Sequence, residues 1–241
     1  RVRRLRLTAP DPTRPSSPKP AHALKRALPT TPDAPVKTVL IIIAVLGTLG
    51  VGALGVFVFV VQNVEQPRYE TLIQDGPFEL RDYPTAIVAE VERGGARREA
   101  LSAGFGPLAR YIFAKDREGE RISMTAPVTQ TAASPRDWSV RFFIPSGYAL
   151  AQLPTPGDGS GVSLVELPPR RVAAIRFDGR TTDERIAERE AELRTWMATR
   201  GVEAASPPLY AYYNDPLTPG FLRRNEVMIE VAASDPAADP P

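Results

Sequence analysis

The sequence has no cysteine and a single histidine, His22. The first absence excludes a disulfide scaffold, a thiolate nucleophile and any Cys-ligated zinc or iron–sulfur centre. The second, with the one imidazole in a proline-rich tail, removes Ser-His-Asp catalysis and most His-metal chemistry from any folded part. At 241 residues the chain is long enough for one good-sized domain with extensions, and too short for two large ones.

Charge is unevenly placed. Residues 1–37 hold nine Lys and Arg against Asp11 and Asp33, a surplus of seven, so the other residues carry a net −5 within the total of +2. A pI near 9.0 suggests nucleic acid, but the basicity belongs to the tail and not to a domain face, so no nucleic-acid partner is expected. The tail also carries eight prolines and little periodic apolar content. Such a segment cannot bury enough surface to offset its ordering entropy, and residues 1–37 are expected to be disordered.

Residues 38–61 (TVLIIIAVLGTLGVGALGVFVFVV) contain no charge. As a helix this run is about 36 Å long, enough to cross a hydrocarbon core of about 30 Å. The apolar run and its basic leader are both longer than in a cleavable signal peptide, so 38–62 is read as one uncleaved transmembrane helix, a signal anchor. Lys25, Arg26 and Lys37 precede it and Glu65 is the first charge after it. The positive-inside rule then gives a single-pass membrane protein with a cytoplasmic N-terminus and an extracytoplasmic domain. Ala44, Thr48 and Gly52 form a small-residue stripe through which two such helices could form a weak dimer.

The candidate domain is 65–231, followed by a frayed tail at 232–241. Its first half has alternating, strand-like runs at 78–83 and 86–91, then Leu101, Leu108 and Ile112 on one helical face, then strand candidates at 121–128 and 138–144. Pro107 inside the helical pattern predicts a kink or a broken start. The second half repeats the order: strands at 162–167 and 171–177 separated by Pro168-Pro169, a helix opened by a capping box at Thr181–Glu184, and strands at 209–213 and 226–231. The expected fold is α+β: two β-α-β-β repeats in a distorted antiparallel barrel, closed or nearly so, with two flanking helices.

Six segments, in order, carry a resemblance: Glu65-x-Pro67-x-Tyr69, FELRDYP (78–84), GFGPLARYI (104–112), ISMTAPV (122–128), the LPTP loop before VSLVELPPRRVAAIRFDG, and RRNEV (223–227). Together they resemble the SOUL haem-binding protein family across nearly all of 65–231. The resemblance implies the same two-repeat barrel and non-covalent binding of haem or another tetrapyrrole in a surface groove beside the first helix. Carried onto this chain, it implies Phe105, Ala109 and Arg110 as groove residues, with Tyr213 from the later segment. A close family member has Met at the place of Ala109 and Lys at Arg110, so here the apolar surface is smaller and the cation is kept.

The residues themselves add that Phe105, Ala109 and Phe113 form a second apolar stripe on the first helix. Two stripes mean either burial on two sides or an exposed groove floor. A porphyrin needs a flat apolar wall and cations for its propionates, and Arg110 or Arg223 could supply one, although Arg223 and Arg224 are equally explained as partners of nearby carboxylates. With no His or Cys in the domain, binding is expected to lack a strong protein axial ligand. Tyr111, Tyr212, Tyr213 and Met124 are the conceivable substitutes, Met124 being better explained as core.

Two other functions stay open. The plan also resembles bacterial effector-binding domains, and Glu226 or Glu79 could act as a general base on a hydrophobic small molecule if burial raised its pKa. Alternatively the groove takes an amphipathic peptide helix.

Overall fold

The computed structural model describes residues 38–48, 64–214 and 218–232. The chain divides into two units, Arg1–Val51 and Gly52–Pro241. In the first, residues 38–48 of the apolar run are helical and exposed. Among the described residues no helix is long and apolar enough to cross a membrane. The rest of the expected span, 49–62, lies outside the described residues, as do Gly52 of the small-residue stripe, the expected tail at 1–37 and all but Ala232 of the expected tail at 232–241.

The second unit is α+β. Its strands are β1 (Glu70–Asp75), β2 (Phe78–Tyr83), β3 (Ala86–Gly94), β4 (Val128–Ala132), β5 (Asp137–Phe143), β6 (Ser163–Leu167), β7 (Arg170–Asp178), β8 (Leu209–Tyr212) and β9 (Arg224–Glu230). Its helices are α1 (Arg97–Ile112) and α2 (Asp183–Thr199). All nine strands join one sheet in the order β1-β2-β7-β9-β8-β4-β5-β3-β6, and every neighbouring pair is antiparallel.

The internal repeat explains this order. Each copy supplies two strands, a helix and two strands: β2-β3-α1-β4-β5, then β6-β7-α2-β8-β9. Without β1, the order reads the same from both ends once the copies are exchanged, with the β4–β8 pairing at the centre. Each repeat thus has the two strands before its helix that the strand-like runs predicted, where the formula β-α-β-β counts only one.

Two short links bend the sheet. β2 and β3 lie near opposite ends of the order, yet only Pro84 and Thr85 join them, and β6 and β7 are likewise joined only by Pro168 and Pro169. A two-residue link spans at most about 10 Å, so the two ends must approach each other. The prolines at these corners lack the N–H that a continuing ladder would need. The result is a curled half-barrel, open along β1 and β6, rather than the closed or nearly closed barrel expected.

Both helices pack on the convex face. Leu108, Tyr111 and Ile112 of α1 meet Ala89, Val91, Val140 and Phe142, and Ile186, Leu193, Trp196 and Met197 of α2 meet Ala173, Ile175, Val227 and Ile229. The concave face has a smaller core of its own around Tyr83, Val172, Ala174, Ala211, Tyr213 and Met228. Helix α2 starts one residue later than the expected capping box at Thr181–Glu184. Thr182 is the N-cap, its side chain accepting a hydrogen bond from the Arg185 N–H (3.3 Å), so Glu184 is not the N3 residue of a box. Gly201 follows the helix end at φ 65°, as expected.

Three local expectations change. The strand expected at 121–128 begins only at Val128, because Pro127 cannot donate to the ladder; Ile122 is buried all the same, beneath α1. Helix α1 runs unbroken through Pro107, whose ring is buried against the sheet. Strand β1 was not foreseen, since all six of its residues are exposed and it has no inward face to give an alternating signal.

Helix α1 approaches β5 most closely at Gly104, where an added Cβ would lie 2.8 Å from Val140. Gly104→Ala gains about 1 kcal/mol of helix propensity but overpacks this contact, at a cost of about 1–3 kcal/mol. A lower thermal midpoint is expected for Gly104→Ala, and Val140→Ala in the same chain is expected to restore much of it.

Candidate functional site

The residues picked from the sequence fall into two groups. Phe105, Ala109, Arg110 and Phe113 lie together on α1 and at its C-cap. Phe105 is half-buried, edge-on to Phe142 with ring centroids 5.1 Å apart, and Ala109 packs beside it. Phe113 is 37% exposed. Arg110 is exposed in the last turn, with Asp116 at 3.4 Å as a loose partner. The second stripe is therefore neither fully buried nor fully open: its inner end packs on the sheet and its outer end forms a small apolar shelf edged by a mobile-length cation. None of the three described cavities is lined by Phe105, Ala109 or Phe113.

Tyr213 and Arg223 lie elsewhere, at the β8–β9 end. Tyr213 lines a cavity on the concave face, and the Arg223 Nε donates to the Thr218 carbonyl (2.8 Å). The structure does not bring these two into contact with the α1 shelf.

The concave face holds what the sequence did not reveal. Glu226 on β9 is 1% exposed, as is Arg81 on β2. The Arg81 guanidinium donates to both Glu226 oxygens (2.7 and 3.1 Å) and to Glu79 (2.8 Å). The Arg224 Nη2 (2.6 Å) and the Tyr213 hydroxyl (2.8 Å) donate to the same carboxylate. Tyr69 covers the Arg81 guanidinium, 4.4 Å from its ring centre. Two arginines and two glutamates balance, and every Glu226 oxygen is multiply bonded, which is the condition for burying such charges.

Burial by itself would push the Glu226 carboxyl up, but hydrogen bonds and charge from Arg81 and Arg224 outweigh it and hold the carboxyl below its ordinary 4.5. The Arg81 guanidinium is raised: burial opposes its charge, and Glu226 and Glu79 more than compensate. Burial raises the Tyr213 phenol well above its usual value, helped by the Glu226 charge, and pushes Tyr83 up to about 12. A general base needs the reverse, a carboxylate left in want of protons. Glu226 is thus held as a structural anion and does not fit the role of general base expected of it if burial raised its pKa.

The conceivable axial ligands are engaged as well. The Tyr111 hydroxyl donates to the Pro154 carbonyl (2.9 Å), and that of Tyr212 lies between Arg97 (2.7 Å) and Gln130 (3.3 Å). Tyr213 is committed to Glu226, and Met124 packs against the core below α1. Among the described residues no cluster of His, Cys, Asp and Glu could hold a metal ion.

The model of the SOUL heme-binding protein family matches residues 64–230. The chain belongs to that family. No curated protein matches it in sequence. Among solved structures it is similar to the C-terminal domain of EcmrR, at 13% identity and a TM-score of 0.50, covering 69% of this chain and 99% of that one. It is also similar to a hydrolase from Listeria innocua, at 14% identity and a TM-score of 0.48, covering 67% and 94%. At 13% identity the likeness to the EcmrR domain shows the fold alone. Against the SOUL motifs, FELRDYP is β2 with Arg81 at its centre, and RRNEV opens β9 with Glu226. Two motifs 145 residues apart therefore meet in one buried ion pair. A signal existed, since each motif sets a charge inside a strand, but nothing in either segment paired them.

Replacing Glu226 by Gln leaves the buried Arg81 and the half-buried Arg224 guanidinium groups undercompensated, and a loss of about 3–5 kcal/mol of stability is expected. Because the folded-state pKa of Glu226 lies below its unfolded value, its stabilisation is complete above pH 4.5 and fades as pH falls through the lower folded value. Denaturant melts between pH 6 and pH 2 should show this acid-dependent loss in the native chain and a smaller one in Glu226→Gln.

Proposed function

We propose that this SOUL-family chain binds haem or a related tetrapyrrole non-covalently on the outer side of α1 and carries it while tethered to a membrane by residues 38–62. The observation that carries the ligand assignment is the family match over 64–230. The shelf on α1 agrees with it: the exposed edge of Phe113 and the half-buried Phe105 and Ala109 offer an apolar wall, and Arg110 is weakly enough paired to reach a propionate. The macrocycle would supply its own metal chemistry; this chain's residues hold one face and balance charge. With the nearby phenols committed to other partners, the iron gains no strong bond from the protein. Tethering rests on 24 uncharged residues behind a basic leader, and a weak dimer through Ala44, Thr48 and Gly52 would follow from that span.

Titration of the full chain with haemin and with protoporphyrin IX tests the ligand. Similar affinities are expected, since contact is mainly with the ring. Phe113→Ser should weaken both by roughly tenfold, the scale of losing much of one buried aromatic side chain, and Arg110→Ala by a few-fold, the scale of one exposed ion pair. A sharp low-spin Soret band lost only in one Met or Tyr variant would overturn the axial-ligand part.

The tether has its own test. In membrane vesicles with the cytoplasmic face outward, added protease should remove the basic tail and spare the domain. Digestion of the domain, or release of the whole chain by a salt wash, counts against the proposed span and orientation.

A further inference from the structure

The concave face encloses a cavity of about 350 Å³, at the lower end of the range for small-molecule sites, roughly 300–1,000 Å³. Its wall is apolar over Tyr69, Phe143, Leu209 and Met228, with Thr129 and Arg170 among the polar lining. Two buried polar atoms here have no partner: the Thr129 hydroxyl, on a residue 1% exposed, and Nη1 of Arg170. Buried donors are ordinarily satisfied, and each unmet one carries a desolvation cost.

The charged lining of the cavity is Arg141, Arg170 and one carboxylate, Glu230. Thr129 on β4 faces Arg141 across the β4–β5 ladder, and the charge of Arg141 bears on Arg170, so the cavity brings two guanidinium groups toward one region. Arg141 is paired with Glu90. Arg170 meets Glu230 through Nε at 3.3 Å, a carboxylate 45% exposed, which leaves Nη1 without an acceptor. Burial pushes the Arg170 guanidinium below its ordinary value; Glu230 and Tyr83 oppose this and Arg141 adds to it, and Nη1 is left as a donor without an acceptor. Glu226 does not alter this balance, because Arg81 and Arg224 already neutralise it.

We propose that this cavity is a second binding site, separate from the α1 shelf, for a small amphipathic carboxylate whose anionic end accepts hydrogen bonds from Arg170 and Thr129 while its apolar body lies along Phe143, Leu209 and Met228. A guanidinium fork matches a carboxylate in shape and charge, and a threonine hydroxyl can donate to the same group. A cationic ligand would face two arginines and find no unpaired carboxylate among the lining residues.

Calorimetric titration of the full chain with 2-naphthoate, 2-naphthamide and 2-naphthylmethylamine separates charge from shape. Binding of 2-naphthoate at least tenfold tighter than the amide, the scale of one charge-assisted hydrogen bond, with the amine weakest, is the expected order. Arg170→Met should remove that preference and Thr129→Val should reduce it several-fold. Thr129→Val keeps the side-chain shape, so it serves as the test if Arg170→Met fails to fold. Haemin affinity should be the same in native and variant chains. Equal or tighter binding of the amine, an unchanged naphthoate affinity in the folded variants, or no binding of any probe would overturn the proposal and leave the two polar atoms to water. Parallel loss of haemin in Thr129→Val would also overturn it, by making the two sites one.

Discussion

The two-residue links at Pro84-Thr85 and Pro168-Pro169 are the constraint from which the rest of this domain follows. Each ties strands that lie near opposite ends of one nine-stranded sheet. The sheet must therefore curl, and curling turns a face that a flat sheet would show to water into an interior. Polar side chains on that face then lose solvent and must find partners within the protein. Arg81, Glu226, Arg224, Tyr213 and Glu79 do so completely, whereas Thr129 and Arg170 do not.

The division of labour between the two faces follows from this geometry. The convex side carries the larger apolar clusters and both helices, and the start of α1 is tied there to that of α2: Arg97 bonds Asp183, the Thr181 carbonyl and the Tyr212 hydroxyl close to the centre of the repeat. That anchorage fixes α1 on the sheet and so determines which of its residues stay outward. Phe113 and Arg110 are outward because the helix is pinned by Leu108, Tyr111 and Gly104 on its other side. The concave side has less apolar surface and more charge, and its order depends on ion pairing rather than on area alone.

A fold does not by itself fix an activity. The chemistry of the concave face is local. Glu226, deeply buried among the described residues, takes hydrogen bonds from Arg81, Arg224 and Tyr213, a state that stabilises the fold. What favours binding is also local: an unclosed apolar edge on α1 and, on the other face, donors in excess of acceptors.

By itself the sequence determined the elements and their repetition. Alternating strands, the Thr182 cap and the α1 stripe are encoded in neighbouring residues, and each acts over a few positions, so most boundaries could be read directly. The SOUL motifs were likewise readable, and the family match agrees with them. Tertiary structure alone decided what alternation cannot distinguish, namely whether the second face of a strand meets water or a curled interior. Arg81 and Glu226 are 145 positions apart; the sequence offered Glu226 as a carboxylate open to burial but gave no partner for it, and the two pair only when the prolyl corners bring the ends of the sheet together. The cavity beside them was unreadable for the same reason, since it belongs to no single segment and exists only where five or more strands bend around it.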